Sequence, residues 1–294
     1  MELPSVLVLG CGYVGSELAN LLSESGHQVT GATFSESSAQ KIRELSTFPV
    51  FNFDVSDQSA VSSFAEQAFQ SPGPDVIIHC ASSGRAGADG YQRVYLEGTR
   101  NLASIFPSSH IIFTSSTSVY PQTDGSEVTE LSSTEPDRPT ARILIESEQI
   151  ALEAGGAVAR LSGIYGPGRW YLVRAFSEGK SRIEVNENAP DGRYINSIHR
   201  DDAASALAFL AKGKHKGVFN VSDDQPISQR DTYKFLSKKL NRPMPDEGTP
   251  DLNRKRAWTH KQVINRKLRE LGWTPSHPSI IKTFEEDSSI TDAL

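Results

Sequence analysis

The sequence predicts an α/β protein built on a doubly wound parallel sheet. Two observations carry this expectation. Through the first half of the chain, short β-branched or apolar runs alternate with longer stretches of helical periodicity, and a glycine-rich turn joins the first run to the first amphipathic stretch. Crossover units of this kind put helices on both faces of a parallel sheet.

Taken in order, the strand candidates are Ser5–Leu9, Gln28–Thr33, Val50–Phe53, Val76–Cys80, Ile111–Thr114 and Ala157–Leu161. Each is a short run rich in Val, Ile or Phe, bounded by polar or turn-forming residues. Between the first two, Val14, Leu18, Leu21 and Leu22 recur at helical spacing, and Gly26 stands where a left-handed helix end is easiest to adopt. After Leu161 the pattern loosens, leaving a strand candidate at Val218–Val221 and a helix candidate at Thr232–Leu240. No Pro- or Ser-rich linker divides the chain. The expected organisation is a nucleotide-binding domain over residues 1–163 and a smaller substrate-side lobe over 164–294, interleaved with the sheet.

The 294 residues are 37% apolar and 22% charged, enough to bury one large core or two closely packed lobes. A formal charge of −6 argues against a long phosphate-backbone footprint and so against nucleic acid as partner. The basic runs Arg254-Lys255-Arg256 and Arg266-Lys267 read as solvated faces. Only Cys11 and Cys80 are present, so no disulfide framework is expected. Met1 runs almost directly into Val6-Leu7-Val8-Leu9, which leaves no room for a signal peptide, and no stretch is apolar enough to span a bilayer. These features predict a cytoplasmic protein with a small-molecule substrate and no membrane partner. The acidic, polar last ten residues, Glu285–Leu294, are expected to fray.

Gly10-Cys11-Gly12-Tyr13-Val14-Gly15 is a GxGxxG turn between strand and helix. Gly10 permits the tight turn, Gly12 lets backbone approach a pyrophosphate, and Gly15 lets helix and strand pack closely, while the helix N-terminus offers free N–H groups to phosphate. Dinucleotide binding through Gly10, Gly12, Tyr13, Val14 and Gly15, on a Rossmann-type sheet, is the reading that follows. Some twenty residues on, an acid would favour NAD and an Arg would favour NADP. Here the strand ends Thr33-Phe34-Ser35-Glu36, with no acid at the tip and no adjacent Arg. The choice between NAD and NADP therefore stays open. Glu36 reads as an exposed loop acid, and the hydroxyls of Thr33 and Ser35 are candidates for contact with a 2′-phosphate.

With these residues in view, the chain resembles the extended short-chain dehydrogenase/reductase superfamily, in its NAD-dependent epimerase/dehydratase group. It looks most like the atypical members that carry GxGxxG. The resemblance implies that Asp54, with Val55, contacts adenine, and that Cys80, Ala81 and Ser82 line the cofactor's inner ribose. Tyr95-Leu96-Glu97-Gly98-Thr99-Arg100-Asn101-Leu102 is similar to the family's N-x-x-G-T-x-N-L segment, with Tyr95 in place of Asn. In Phe113-Thr114-Ser115-Ser116-Thr117-Ser118-Val119-Tyr120, Ser116 matches the catalytic Ser or Thr. Arg160-Leu161-Ser162-Gly163-Ile164-Tyr165-Gly166-Pro167-Gly168-Arg169 resembles the segment passing the nicotinamide end, which implies a cofactor contact at Leu161. His199 in Ile198-His199-Arg200-Asp201-Asp202-Ala203 reads as a structural anchor. No metal site is predicted, because no second ligand stands at suitable spacing. Family members often dimerise through helices that correspond to Tyr91–Phe106 and Thr140–Glu153, so a homodimer is one expectation.

The chain departs from the family at one place. Tyr-x-x-x-Lys should fall between Tyr120 and Tyr165, an interval with neither tyrosine nor lysine. Aligning Glu148 with the family's Glu puts Thr140 at the Tyr position and Leu144 at the Lys position. A Tyr and Lys four residues apart share one helical face, where the ammonium lowers the phenol's pKa; that device is missing. Two readings of function remain. One is an oxidoreductase or epimerase-like enzyme, acting on a sugar-like, polyol or carbonyl substrate, with Ser116 in place and Tyr120 as candidate proton donor. The other is a non-catalytic NAD(P)-binding sensor or regulatory protein.

Overall fold

The computed structural model describes residues 3–69, 72–84, 86–134, 138–251 and 258–287. The run Arg254-Lys255-Arg256 lies outside the described residues, as does most of the acidic tail. Glu285 and Glu286, assigned to that tail, instead close the helix Ile280–Glu286.

Seven strands form the main sheet: β1 (Val6–Leu9), β2 (Val29–Thr33), β3 (Val50–Asn52), β4 (Val76–His79), β5 (His110–Ser116), β6 (Ala157–Leu161) and β7 (Gly217–Val221). Their order is β7-β6-β5-β4-β1-β2-β3 and the sheet is parallel. Register pairs Val6 with both Val29 and Val76, and Val76 with His110, so the strand ends of β1, β2, β4 and β5 lie side by side. The order reverses between β1 and β4. In open α/β sheets that switch point is where a crevice opens beyond the carboxyl ends of the strands.

The strands form where the apolar runs demand it. Every residue of β1 and β4 is buried, the mark of a strand covered on both faces. Covering helices are α1 (Gly15–Glu24), α2 (Glu36–Arg43), α3 (Gln58–Ala68), α4 (Gly87–Tyr91), α5 (Gly98–Ile105) and α6 (Pro139–Glu153). Leu18 and Leu22 carry the apolar stripe of α1 into the core. Asp57 caps α3 by accepting from the amides of Ser59 and Ala60. Between α4 and α5 the backbone widens into a π-helical turn, Gln92–Glu97.

Backbone contacts divide the chain into two compact units. The first comprises Met1–Val119, Pro136–Arg160 and Ala203–Phe219; the second comprises Tyr120–Glu135, Leu161–Asp202 and Asn220–Leu294. Sequence reasoning expected domains over 1–163 and 164–294, interleaved with the sheet; the division by backbone contacts is discontinuous. The reason is that Ala203–Phe219 returns to add β7 to the main sheet. The second unit holds short paired strands, including Ser197–His199 beside Gly163–Tyr165 and Gln262–Val263 beside Glu127–Val128. Its aromatic core is built from Tyr165, Trp170, Phe176, Tyr233 and Phe284. No helix among the described residues is long and apolar enough to cross a membrane.

Candidate functional site

The glycine turn follows β1. Gly10 has φ +94°, and a Cβ built on it would lie 2.3 Å from the Ala81 amide nitrogen; one on Gly15 would lie 2.1 Å from the Gly10 carbonyl oxygen. Both positions are glycine because backbone passes too close for any side chain. Gly12 is different, since it is exposed and an added Cβ would meet nothing nearer than Gly10 O at 4.0 Å. The fold does not require a glycine there, and the bare backbone offers close approach from outside. Val14 stands at the cap position before α1 and makes no side-chain cap. An uncapped helix start behind an exposed glycine suits a pyrophosphate.

Beside this turn lies a cleft of about 250 Å³, wholly within the first unit. Leu9 and Gly10, the β2 tip (Thr33, Phe34) and the β3 exit (Phe53, Asp54, Val55) line one part of it. Ala81, Ser82 and Ser83 after β4, then Ala86, Gly90, Arg93 and Val94, line the rest. Phe53 is held by stacking on Phe64 of α3, ring centroids 4.3 Å apart. The Val55 carbonyl accepts from Asn101 Nδ2 at 2.9 Å, tying the β3 exit to α5. Asp54 accepts from the Ser56 amide and hydroxyl through Oδ1, and from Arg93 Nη2 at 2.6 Å through Oδ2. Partial burial pushes its pKa up, but the Ser56 and Arg93 contacts outweigh this and hold the carboxyl below its ordinary range.

The π-helical turn presents this edge of the cleft. His79 is fully buried and donates from Nε2 to the Val94 carbonyl at 3.0 Å, bonding a carbonyl of that turn. Burial lowers the His79 pKa to about 4, so the ring is neutral at pH 7. The Tyr95 hydroxyl accepts from the Ser83 amide at 3.2 Å, fixing the β4 exit. Tyr95, the departure from N-x-x-G-T-x-N-L, thus serves as a brace.

Of the residues expected from sequence, Gly10, Thr33, Asp54, Val55, Ala81 and Ser82 line the cleft. Gly12, Tyr13, Val14 and Gly15 form the adjoining turn and helix start. Cys80 is half-buried between His79 and Ala81. Burial pushes the Cys80 thiol up, and it raises Cys11 to about 11, so neither is a thiolate at neutral pH. Ser35 lies outside the cleft lining: it caps α2, its hydroxyl accepting from the Ser38 amide at 3.3 Å. Glu36 is likewise engaged, paired with Arg43 Nη1 at 2.7 Å. Leu161 closes β6, buried and outside the lining. Sequence reasoning missed Arg93 and Phe34. Arg93 carried no signal, because its partner Asp54 is 39 positions away. Phe34 carried one, a large aromatic in an otherwise polar strand tip.

Ser116 is the last residue of β5, half-buried, with its hydroxyl accepting from the Ser118 amide at 3.2 Å. Its neighbour Ser115 is buried and donates to Glu148 Oε1 at 2.5 Å. Glu148 in turn receives Arg160 Nη2 at 2.6 Å and Nε at 3.0 Å, an ion pair with both side chains at most 6% exposed. This network ties the end of β5 to α6. On the same helix Leu144 is buried and Thr140 half-buried.

Tyr120 corrects the expectation of a phenol facing the cleft. It has no exposed surface and donates from its hydroxyl to Asn220 Oδ1 at 2.7 Å, inside the second unit. A buried amide oxygen needs a donor, and Tyr120 supplies it. The same unit contains a group that sequence reasoning passed over: Lys261, 4% exposed, donates from Nζ to the Tyr120 carbonyl at 2.7 Å. Among the described residues no carboxylate ion-pairs with it. Burial, then the nearby Arg193 charge, lowers its pKa to about 7. His199 is a packing residue, its ring stacked 3.6 Å from that of His277. Burial and then His277 lower its pKa to about 4. No cluster of three or more metal-ligating side chains occurs among the described residues.

A doubly wound sheet whose first turn is bared at Gly12, with a cleft at the β1/β4 switch point, defines a nucleotide-cofactor-binding protein of the Rossmann class. More specifically, residues 6–222 match the model of the NAD dependent epimerase/dehydratase family, and the chain belongs to that family. Protein YeeZ of Escherichia coli K12 is 28% identical over 224 residues, covering 74% of this chain and 76% of that protein. A UDP-glucose 4-epimerase of Corynebacterium glutamicum is 22% identical, covering 97% and 94%. Among solved structures, the UDP-Glc/GlcNAc 4-epimerase of Campylobacter jejuni superposes with TM-score 0.74 at 19% identity, over 98% of each chain. MoeE5 in complex with UDP-glucose and NAD gives the same TM-score at 18% identity, also over 98% of each.

Proposed function

We propose that the protein is an NAD(P)-dependent oxidoreductase or epimerase-like enzyme, acting on a sugar-like, polyol or carbonyl substrate through a non-standard acid–base group. The observation that carries this reading is the preformed cofactor apparatus, in which Gly12 alone of the three motif glycines has no steric reason to be glycine. The bound nicotinamide would accept or return a hydride. Gly10, Gly12 and Gly15, with the start of α1, hold the pyrophosphate, and Asp54 and Val55 meet the adenine end.

Ser116 hydrogen-bonds the reacting oxygen in this reading. The Ser115–Glu148–Arg160 network supports it by fixing the strand end from which Ser116 projects. Thr140 and Leu144 stand at the family's Tyr and Lys positions, and a buried leucine has no acid–base chemistry. Tyr120 donates its hydroxyl hydrogen bond to Asn220 Oδ1, so it serves the fold and leaves the transferring group to be another residue or the solvent.

That same placement of Tyr120 favours a second reading, a non-catalytic NAD(P)-binding regulator. A nicotinamide absorbance assay over a panel of sugar nucleotides, free sugars, polyols and carbonyls separates the two. The enzyme reading predicts turnover that falls about 100-fold in Ser116→Ala with nucleotide affinity retained. Tight nucleotide binding without turnover on any substrate would establish the regulator instead.

A further inference from the structure

We propose that Phe34 is the adenosine platform of the cleft, and that this site accepts the 2′-phosphate of NADP(H) about as readily as the free 2′-hydroxyl of NAD(H). The inference rests on the reading of the cleft as a dinucleotide site.

Two independent features at the β2 tip support it. First, Phe34 is 71% exposed and lines the cleft. Isolated exposed apolar residues need no explanation, and Leu45 and Leu131 are more exposed still, but neither of them lines this cleft. A flat apolar ring at this position offers a stacking surface to a purine, whose π-face is equally flat.

Second, the tip holds no carboxylate free to choose NAD. Discrimination against the 2′-phosphate comes from an acid at the end of β2, which accepts hydrogen bonds from the ribose hydroxyls and repels phosphate. Here that end reads Thr33-Phe34-Ser35. The next residue, Glu36, is held by both guanidinium nitrogens of Arg43, at 2.7 and 3.4 Å, while Arg43 Nε donates to the Val50 carbonyl at 2.7 Å. Glu36 is thereby turned to α2 and β3 and does not line the cleft. The charged residues that do are Asp54 and Arg93, paired at 2.6 Å, so the lining carries no net negative charge to oppose a phosphate.

The test is direct binding of NADH, NADPH and ADP-ribose to the full chain by isothermal titration calorimetry, with wild type, Phe34→Ala and Phe34→Asp. Thermal melts confirm folding of each variant. Wild type is expected to bind NADH and NADPH with dissociation constants within about fivefold of each other, lacking the charge repulsion that separates them elsewhere. Phe34→Ala should weaken NADH, NADPH and ADP-ribose alike by about tenfold, the loss expected for one base–aromatic stack. Phe34→Asp should weaken NADPH at least about tenfold more than NADH. NADH binding with NADPH weaker by more than about thirtyfold in wild type would overturn the proposal. So would unchanged affinities in Phe34→Ala. If neither nucleotide nor ADP-ribose binds wild type, the dinucleotide reading fails as well, and the two failures are told apart by that result.

Discussion

Lys261→Met should stabilise the second unit at pH 6 and lose that advantage as pH rises. Lys261 is 4% exposed, its ammonium meets the Tyr120 carbonyl at 2.7 Å, and Arg193 rather than a carboxylate is the charge beside it. Burial first, and Arg193 second, lower its pKa from 10.5 to about 7. A depression of that size corresponds to roughly 5 kcal/mol of native-state penalty on the charged form. The sign follows from proton counting. Between about 7 and 10.5 the unfolded chain binds a proton that the folded chain does not, so this lysine's contribution to stability rises with pH across that window. Below about pH 7 both states are protonated, and the penalty is present in full.

Methionine keeps the unbranched stem and drops the charge. At pH 6 the gain from removing the buried ammonium exceeds the loss of one charged hydrogen bond, about 1.5–3 kcal/mol, leaving the variant more stable by about 2 kcal/mol. Near pH 10 the wild-type amine is neutral and keeps its bond to Tyr120, so the variant, which leaves that carbonyl without its donor, should be the less stable by about 2 kcal/mol. The assay is urea unfolding followed by tryptophan fluorescence. All three tryptophans, Trp170, Trp258 and Trp273, are buried in the second unit, so the signal reports that unit alone. Cys11, Cys80 and Tyr165 have raised pKa values and contribute to both proteins, so they cancel in the difference between the two profiles. Burial lowers the His260 pKa, so its titration falls below the window. The difference should slope by about 1.4 kcal/mol per pH unit between pH 7.5 and 10. A flat difference over that range would refute the reasoning.

Two further substitutions probe the first unit. Gly12→Ala should leave the melting temperature of the ligand-free protein within about 2 °C of wild type, because its Cβ meets nothing closer than 4.0 Å, yet weaken NAD(H) by about tenfold or more in calorimetry. Gly10→Ala, by contrast, should lower the ligand-free melting temperature itself, since its Cβ would sit 2.3 Å from Ala81 N at φ +94°. Glu148→Gln should destabilise the protein by about 3–5 kcal/mol in denaturant unfolding, as it removes the carboxylate paired with the buried Arg160 charge. The paired change Glu148→Leu with Arg160→Met should recover most of that loss, and failure to recover it would assign the effect to packing instead.

What could be read from the sequence was whatever a local pattern encodes. The strands of the main sheet needed only apolar runs of the right length, and the observed bounds differ from expectation by two residues at most. The glycine turn was legible because its spacing is dictated by one backbone path. The cleft's other wall was not, because Arg93 meets Asp54 and His79 meets Val94 across separations that no local pattern records. Tyr120 shows the limit from the other side. Its place four residues after Ser116 suggested a cleft, whereas its position is set by Asn220, a hundred residues away. Lys261 carried no local signal: burial alternates from Lys261 through Val263 to Asn265, but the sequence Lys261-Gln262-Val263-Ile264-Asn265 has no matching alternation of apolar residues.

Helix α6 has a structural task of its own. Glu148 is engaged from two sides, by Ser115 on β5 and by Arg160 on β6, and losing it would take the paired carboxylate from a buried guanidinium. Leu144, one turn earlier, is buried, and an ammonium there would carry a desolvation cost of the kind Lys261 bears. The anchoring end of the helix is thus bound into the core by charge. A lysine at position 144 would lose its solvent, because that position is 3% exposed.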